Sequence, residues 1–215
     1  MSILDFAIDH VRHGRYVFPG VVNEKIPAIK DPYLHATLDE KQILRWWKDC
    51  PNYNICIPAG IEIEPGKFLG VIDVDTKKAN GFETIEKLDC IGLEFPETLE
   101  QITPSKGAHK LYYFDSPIGN GVNSIGPGIN HRGFHGYILG AGSWYHGKEY
   151  VFKDETIRIA QSPGLLARRC LALRRPGTGN RNLSIVHDID QGTAIGRARV
   201  FLSSQQTARE GERNQ

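Results

Sequence analysis

The sequence predicts a mixed α/β (α+β) fold, on three observations. Amphipathic helix patterns alternate with short apolar strands as far as residue 91, the arrangement of an α/β layer. From residue 98 to residue 152 the pattern changes to strand-like runs separated by glycine-rich turns. The 215 residues, 40% of them hydrophobic, suffice for the buried core of one domain, alone or with a small appendage.

Residues 2–13 form the first expected helix, with Ser2 as N-cap, Leu4, Ala7, Ile8 and Val11 on one stripe, and Gly14 as terminator. A strand at Tyr16-Val17-Phe18 stops at Pro19-Gly20, and an irregular basic stretch follows through Lys30. Thr37-Leu38-Asp39-Glu40 reads as a capping box for a helix carrying Ile43, Leu44 and Trp47 and ending near Pro51. Trp46 and Trp47 are assigned to the core rather than to a base-stacking platform. Strands follow at 54–57 and 68–74, then a helix over 80–91 with Phe82, Ile85 and Leu88 inward. Strands at 98–103, 109–114, 137–139 and 148–152 and a helix at 162–173 complete the folded unit, taken as residues 1–175. Residues 176–215 open on Pro176-Gly177-Thr178-Gly179-Asn180, a linker composition that would lead into a further domain of a longer protein. This tail carries two similar tetrads, Gly179-Asn180-Arg181-Asn182 and Gly211-Glu212-Arg213-Asn214, too little to define a repeat.

A formal net charge of +1 excludes a uniformly basic nucleic-acid binder, so any such site must be a local patch. Cys50, Cys56, Cys90 and Cys170 lie far apart without a C-x-x-C pair, which argues for reduced thiols and against a zinc ribbon or disulfide framework. No apolar run approaches a membrane span. The expected location is the cytoplasm.

The chemistry centres on Gly70-Val71-Ile72-Asp73-Val74-Asp75. On an extended strand, side chains at i and i+2 share a face, so Asp73 and Asp75 point the same way and repel. A cation between them removes that repulsion, and hard oxygen ligands suit Mg²⁺ or Mn²⁺ bound together with substrate phosphates. Taken alone, the motif is more at home as a solvated strand end running into the polar Thr76-Lys77-Lys78. Downstream, the turn from Thr103 through Ser105, Lys106 and Gly107 runs into a strand that starts near His109, a combination of small residues, cation and imidazole that would cradle phosphate. Ile129-Asn130-His131-Arg132 then places a permanent cation, able to grip phosphate bidentately, before a glycine-bracketed strand.

Taken in order, Tyr16-Val17-Phe18-Pro19, Lys25-Ile26-Pro27, Ala36-Thr37-Leu38-Asp39, Trp46-Trp47, Asn54-Ile55-Cys56-Ile57, Val71-Ile72-Asp73-Val74-Asp75, residues 103–109 and Arg132-Gly133-Phe134-His135-Gly136-Tyr137 resemble a known family. It is the N-terminal bifunctional primase/polymerase (Prim-Pol) domain of plasmid and phage replication proteins, within the archaeo-eukaryotic primase superfamily. Each motif is short, but the ordered set, spread over residues 4–170, is specific.

The resemblance implies an α/β unit packed on an RRM-like antiparallel palm, with the acids in the cleft between them. It implies Asp73 and Asp75 as ligands of Mg²⁺ or Mn²⁺, and His109 as a contact to the incoming nucleotide's phosphates, with Ser105, Lys106 and Arg132 as further nucleotide-binding residues. Many relatives have glycine where Lys106 stands. A third acid is expected just before the arginine, and Asn130 occupies that catalytic position. The implied activity is template-dependent nucleotidyl transfer, a DNA primase/polymerase. Its partners would be a single-stranded DNA template, nucleoside triphosphates, a primer terminus and a fused or separate helicase, with no membrane. Two other classes stay open: a catalytically weakened or silent nucleotide- and nucleic-acid-binding module, because Asn130 is neutral, and a metal-dependent phosphohydrolase.

Overall fold

The computed structural model describes residues 1–171. Its elements are α1 (Ile3–Arg12), β1 (Phe18–Gly20), α2 (Pro32–His35), α3 (Glu40–Asp49), β2 (Asn54–Pro58), β3 (Glu62–Glu64), β4 (Lys67–Val74), α4 (Gly81–Asp89) and β5 (Glu100–Ile102). There follow β6 (Ala108–Phe114), β7 (Gly121–Gly126), β8 (Ile129–Arg132), β9 (Tyr137–Leu139), β10 (Trp144–Tyr145), β11 (Lys148–Glu149), β12 (Val151–Phe152), β13 (Ala160–Gln161) and α5 (Gly164–Leu171). The mixed α/β class is as expected, with mainly antiparallel sheet and few helices. The linker composition at 176–180 and both tetrads lie outside the described residues.

The main sheet runs β12-β5-β6-β4-β8-β7, with β13 added parallel to β6 and β3 paired to β4. The second sheet, β1-β2-β9, is antiparallel throughout, and β10-β11 is a separate hairpin. The alternation of β4 explains how the layers stack. Leu69 and Val71 enter a core shared with Ala7 and Val11 of α1, Ile43 and Trp47 of α3, and Ile55 and Ile57 of β2. Ile72 and Val74, on the other face, join Ala108, Tyr112, Phe114 and Ile129, with Phe82, Ile85 and Leu88 of α4 and Leu166 of α5 packed there. Asp73 and Asp75 continue the Leu69–Val71 face, so they emerge where the first core ends. Gly70 falls on the opposite face, where a Cβ would stand 2.4 Å from the Phe114 ring, so the central strand has no room for a side chain.

α1 begins as expected, with Ser2 and Asp5 in a reciprocal capping box. At α3 the cap is instead Asp39, whose carboxylate accepts from Lys41 N–H at 2.9 Å. Thr37 is engaged before the helix, because its backbone pairs with Val17 in both directions at 3.0 and 3.1 Å. Pro19 and Gly20 continue β1 rather than ending it, which an edge strand permits because proline's missing donor costs no ladder bond on the outer side. The expected strand at 148–152 is split at Tyr150, whose N–H and C=O turn to Ser143 O and Gly142 N, both at 2.8 Å. Trp47 is buried, its indole N–H donating to Tyr53 O at 3.0 Å, which bears out the core assignment. Short elements α2, β3, β7, β8, β10 and β13 were not expected from the sequence.

Candidate functional site

Three neighbouring strands set the site's geometry. On β4, Asp73 pairs directly with His109 of β6 on one side and with Asn130 of β8 on the other, and Gln101 of β5 pairs with His109 beyond. Directly opposed residues of antiparallel strands share a face. The row Gln101, His109, Asp73, Asn130 therefore crosses the sheet on one side, with Asp75 just past the end of β4.

Both acids meet one atom. Asn130 Nδ2 donates to Asp75 Oδ2 at 3.0 Å and to Asp73 Oδ2 at 3.4 Å. Arg132 Nη2 stands 3.5 Å from Asp73 Oδ2, and His109 Nε2 3.6 Å from Asp73 Oδ1. Asp75 is anchored through its backbone, its N–H donating to Gly128 O at 2.8 Å and its carbonyl accepting from Gly81 N–H at 2.8 Å. The i, i+2 expectation is thus met in geometry, and the crowding of carboxylates is relieved by N–H donors.

The state of His109 follows from its neighbours. Gln101 Oε1 accepts from Ala141 N–H at 2.9 Å, which leaves its NH₂ to face Leu139 O and His109 Nδ1, the latter at 2.7 Å. Nδ1 must then accept, so the proton of the neutral imidazole sits on Nε2 and points into the site. Burial lowers the His109 pKa to about 4 against the opposing pull of Asp73, so the ring is neutral at pH 7. Tyr150, itself buried, stacks on it with ring centroids 5.7 Å apart. His109 is the second residue of β6 and is 7% exposed, enough for Nε2–H to reach a ligand and too little for water to surround it.

The turn between β5 and β6 is closed by its own bonds. Lys106 N–H donates to Thr103 O at 2.9 Å and Gly107 N–H to Thr103 Oγ1 at 3.1 Å. Those two amides are occupied and the Ser105 hydroxyl meets Thr103 Oγ1 at 3.2 Å, so the expected cradle of backbone N–H groups loses two of its members and keeps the exposed Lys106 ammonium. Thr76 Oγ1 donates to Ser105 O at 2.8 Å, holding the turn beside the acids. Gly107 is pressed on β4, where a Cβ would stand 2.2 Å from Val74 O.

Lys25 stands with its ammonium 4.7 Å from the centre of the Tyr145 ring, and Tyr137 Oη donates to its carbonyl at 2.7 Å. The residue as a whole is exposed, yet desolvation of the head group lowers its pKa, with Asp73 the strongest opposing influence. Beyond Arg132, exposed Phe134 lies 4.2 Å from the His135 ring, which lies 5.0 Å from Tyr33.

The structure thus brings Asp73, Asp75, His109, Asn130 and Arg132 together and puts Ser105 and Lys106 on the adjacent turn. Sequence reasoning missed Gln101, Asn123, Tyr150 and any site role for Lys25. Gln101 was within reach, because a hairpin closed by the turn at 103–107 puts it opposite His109. Tyr150 and Asn123 come from segments whose approach depends on sheet order, for which the local pattern holds no signal.

Among the described residues no group of three or more His, Cys, Asp or Glu side chains is arranged to hold a metal ion. Asp73 and Asp75, on one face and each with a second carboxylate oxygen besides the one that meets Asn130, nevertheless suit one divalent ion whose remaining ligands are phosphate oxygens and water. No curated protein sequence matches the chain. The family model described as bifunctional DNA primase/polymerase, N-terminal (Prim-Pol), matches residues 7–165, well over half of the 215 residues.

Proposed function

Since the chain belongs to the bifunctional DNA primase/polymerase N-terminal family, we propose that it is a template-dependent nucleotidyltransferase acting at Asp73 and Asp75. The observation that carries this reading is the row of opposed residues that sets His109, Asp73 and Asn130 side by side, with Arg132 3.5 Å from Asp73. The finer fold reading is an α/β unit on an RRM-like antiparallel palm, with residues 1–175 as the catalytic domain and 176–215 as a linker or tail. The setting is plasmid or phage replication beside a fused or separate helicase.

Asp73 and Asp75 would hold Mg²⁺ or Mn²⁺, which when bound neutralises charge at the α-phosphate and lowers the pKa of a primer 3′-hydroxyl. The chain's own residues do the rest. His109, neutral and protonated on Nε2, donates a hydrogen bond to a phosphate oxygen without needing to be charged. Arg132 grips a second phosphate through its planar fork, and Lys106 and Ser105 meet the same polyphosphate from the turn. The stack with Tyr150 keeps the His109 ring from rotating out of line. Asn130 favours a second reading, a weakened or silent binding module, because it brings N–H donors where an anionic ligand would hold metal.

The test is extension of a labelled primer on a single-stranded DNA template with each deoxynucleotide or ribonucleotide, in Mg²⁺ and in Mn²⁺. Incorporation directed by the template base with release of pyrophosphate supports the reading. Inorganic phosphate released without extension points to a phosphohydrolase, and template and nucleotide binding without either product to the silent module.

A further inference from the structure

We propose that Asn130 is locked as a hydrogen-bond donor to both acids by the backbone of Asn123, and that the site consequently holds one divalent ion with a bound nucleotide rather than two. This rests on the nucleotidyltransferase reading.

Asn130 is 4% exposed, and both ends of its amide are committed. Oδ1 accepts from Asn123 N–H at 2.8 Å, while Nδ2 donates to Asp75 and Asp73. A backbone N–H can only donate and a carboxylate can only accept, so the two contacts assign the amide independently and agree. Turned over, the amide would set NH₂ against N–H and a carbonyl oxygen against two anions, forfeiting every hydrogen bond it makes.

The lock is itself held. Asn123 lies in left-handed conformation at φ 49°, a region that asparagine tolerates better than most residues, where the β7–β8 pairing shifts register between Gly121 and Gly126. Its Oδ1 accepts from Gly128 N–H at 2.9 Å, and Gly128 O accepts from Asp75 N–H at 2.8 Å. The bonds close a ring through Asp75, Gly128, Asn123, Asn130 and back to Asp75. Asn123 touches no reacting atom and is a positioning residue: it keeps an N–H, and not an oxygen ligand, turned toward the acids. The chain then offers two negative side chains to metal, and ligand charge count is a main determinant of divalent affinity. That suits one ion completed by phosphate oxygens and leaves a second without an anionic side chain of its own.

The experiment counts Mn²⁺ bound per chain by electron paramagnetic resonance, with the intact chain and a non-hydrolysable nucleoside triphosphate. One ion on the wild type, a second taken up by Asn130→Asp about tenfold or more tighter than by wild type, and faster solvent exchange of the Asn130 side-chain NH₂ in Asn123→Gly would support the proposal. The glycine variant keeps the left-handed backbone while losing the bond to Gly128. Two ions on the wild type overturn the single-ion proposal while leaving the functional reading intact, and this count needs no variant to fold. An unchanged NH₂ exchange rate in Asn123→Gly overturns the part given to the Asn123 side chain in holding the lock. Absence of bound Mn²⁺ with and without nucleotide overturns the functional reading and the proposal together.

Discussion

Gln101 and Asn130 do the same job on either side of Asp73. Each has its amide oxygen taken by a backbone N–H, from Ala141 and Asn123, so each must turn its nitrogen to the row. For Gln101 the consequence is a fixed tautomer at His109, and hence an Nε2–H donor at neutral pH. Gln101→Glu reverses this by setting an anion against Nδ1. A carboxylate beside the ring favours the imidazolium and draws the proton to Nδ1. The His109 pKa should rise from about 4 toward or beyond its ordinary value, read from its ring ¹⁵N shifts across pH, and nucleotide affinity should change with it. An unmoved titration would contradict the assigned tautomer.

Among the elements, β4 was legible because its apolar residues run unbroken into two acids, and its burial on both faces required that run. β8 was not, although it completes the site. Ile129 and His131 face the second core while Asn130 and Arg132 face the acids, so the apolar alternation that would have marked a strand is broken at its second inward position by the buried, polar His131. The turn beyond β8 carries Phe134, a residue 55% exposed, next to His135 and close in sequence to Arg132. Such a ring beside a phosphate-gripping cation suits stacking of a single-stranded base. Phe134→Ala should weaken oligonucleotide binding by about 5- to 100-fold, the scale of one aromatic stack, and leave triphosphate affinity unchanged. Anisotropy titrations with both ligands check this, and equal losses would mark a folding role instead. The misplaced cap at α3 has a similar origin: Thr37 and Asp39 are both good caps locally, and only the distant pairing of Thr37 with Val17 decides between them.

For the molecule as a whole, the fold class followed from pattern, but the order of strands that brings β5, β6, β4 and β8 into one row did not, because it depends on pairings between segments far apart in sequence. One global property follows from burial. His10, His109 and His131 all have lowered pKa values, about 3, 4 and 4, desolvation being the largest cause in each. Between those values and pH 6.5 the unfolded chain binds more protons than the folded one, so stability falls as pH falls through this window. The slope is up to about 1.4 kcal/mol per pH unit for each histidine, and it vanishes for all three above the unfolded pKa. Urea denaturation from pH 7 to pH 4.5 should show this decline, and His131→Leu, which also removes a buried Nε2 that has no partner, should flatten it by one histidine's share. A profile equally flat in both proteins would contradict the burial argument.

Whether Asp73 and Asp75 carry nucleotidyl transfer is read from the template-directed extension rate of Asp73→Asn against wild type at saturating nucleotide and Mn²⁺. The amide keeps the shape and removes the charge, so the thermal midpoint should stay close to wild type while the rate drops about a hundredfold or more, the order of cost for losing a group that stabilises transition-state charge. Extension by Asp73→Asn at the wild-type rate, with the fold intact, would contradict the account.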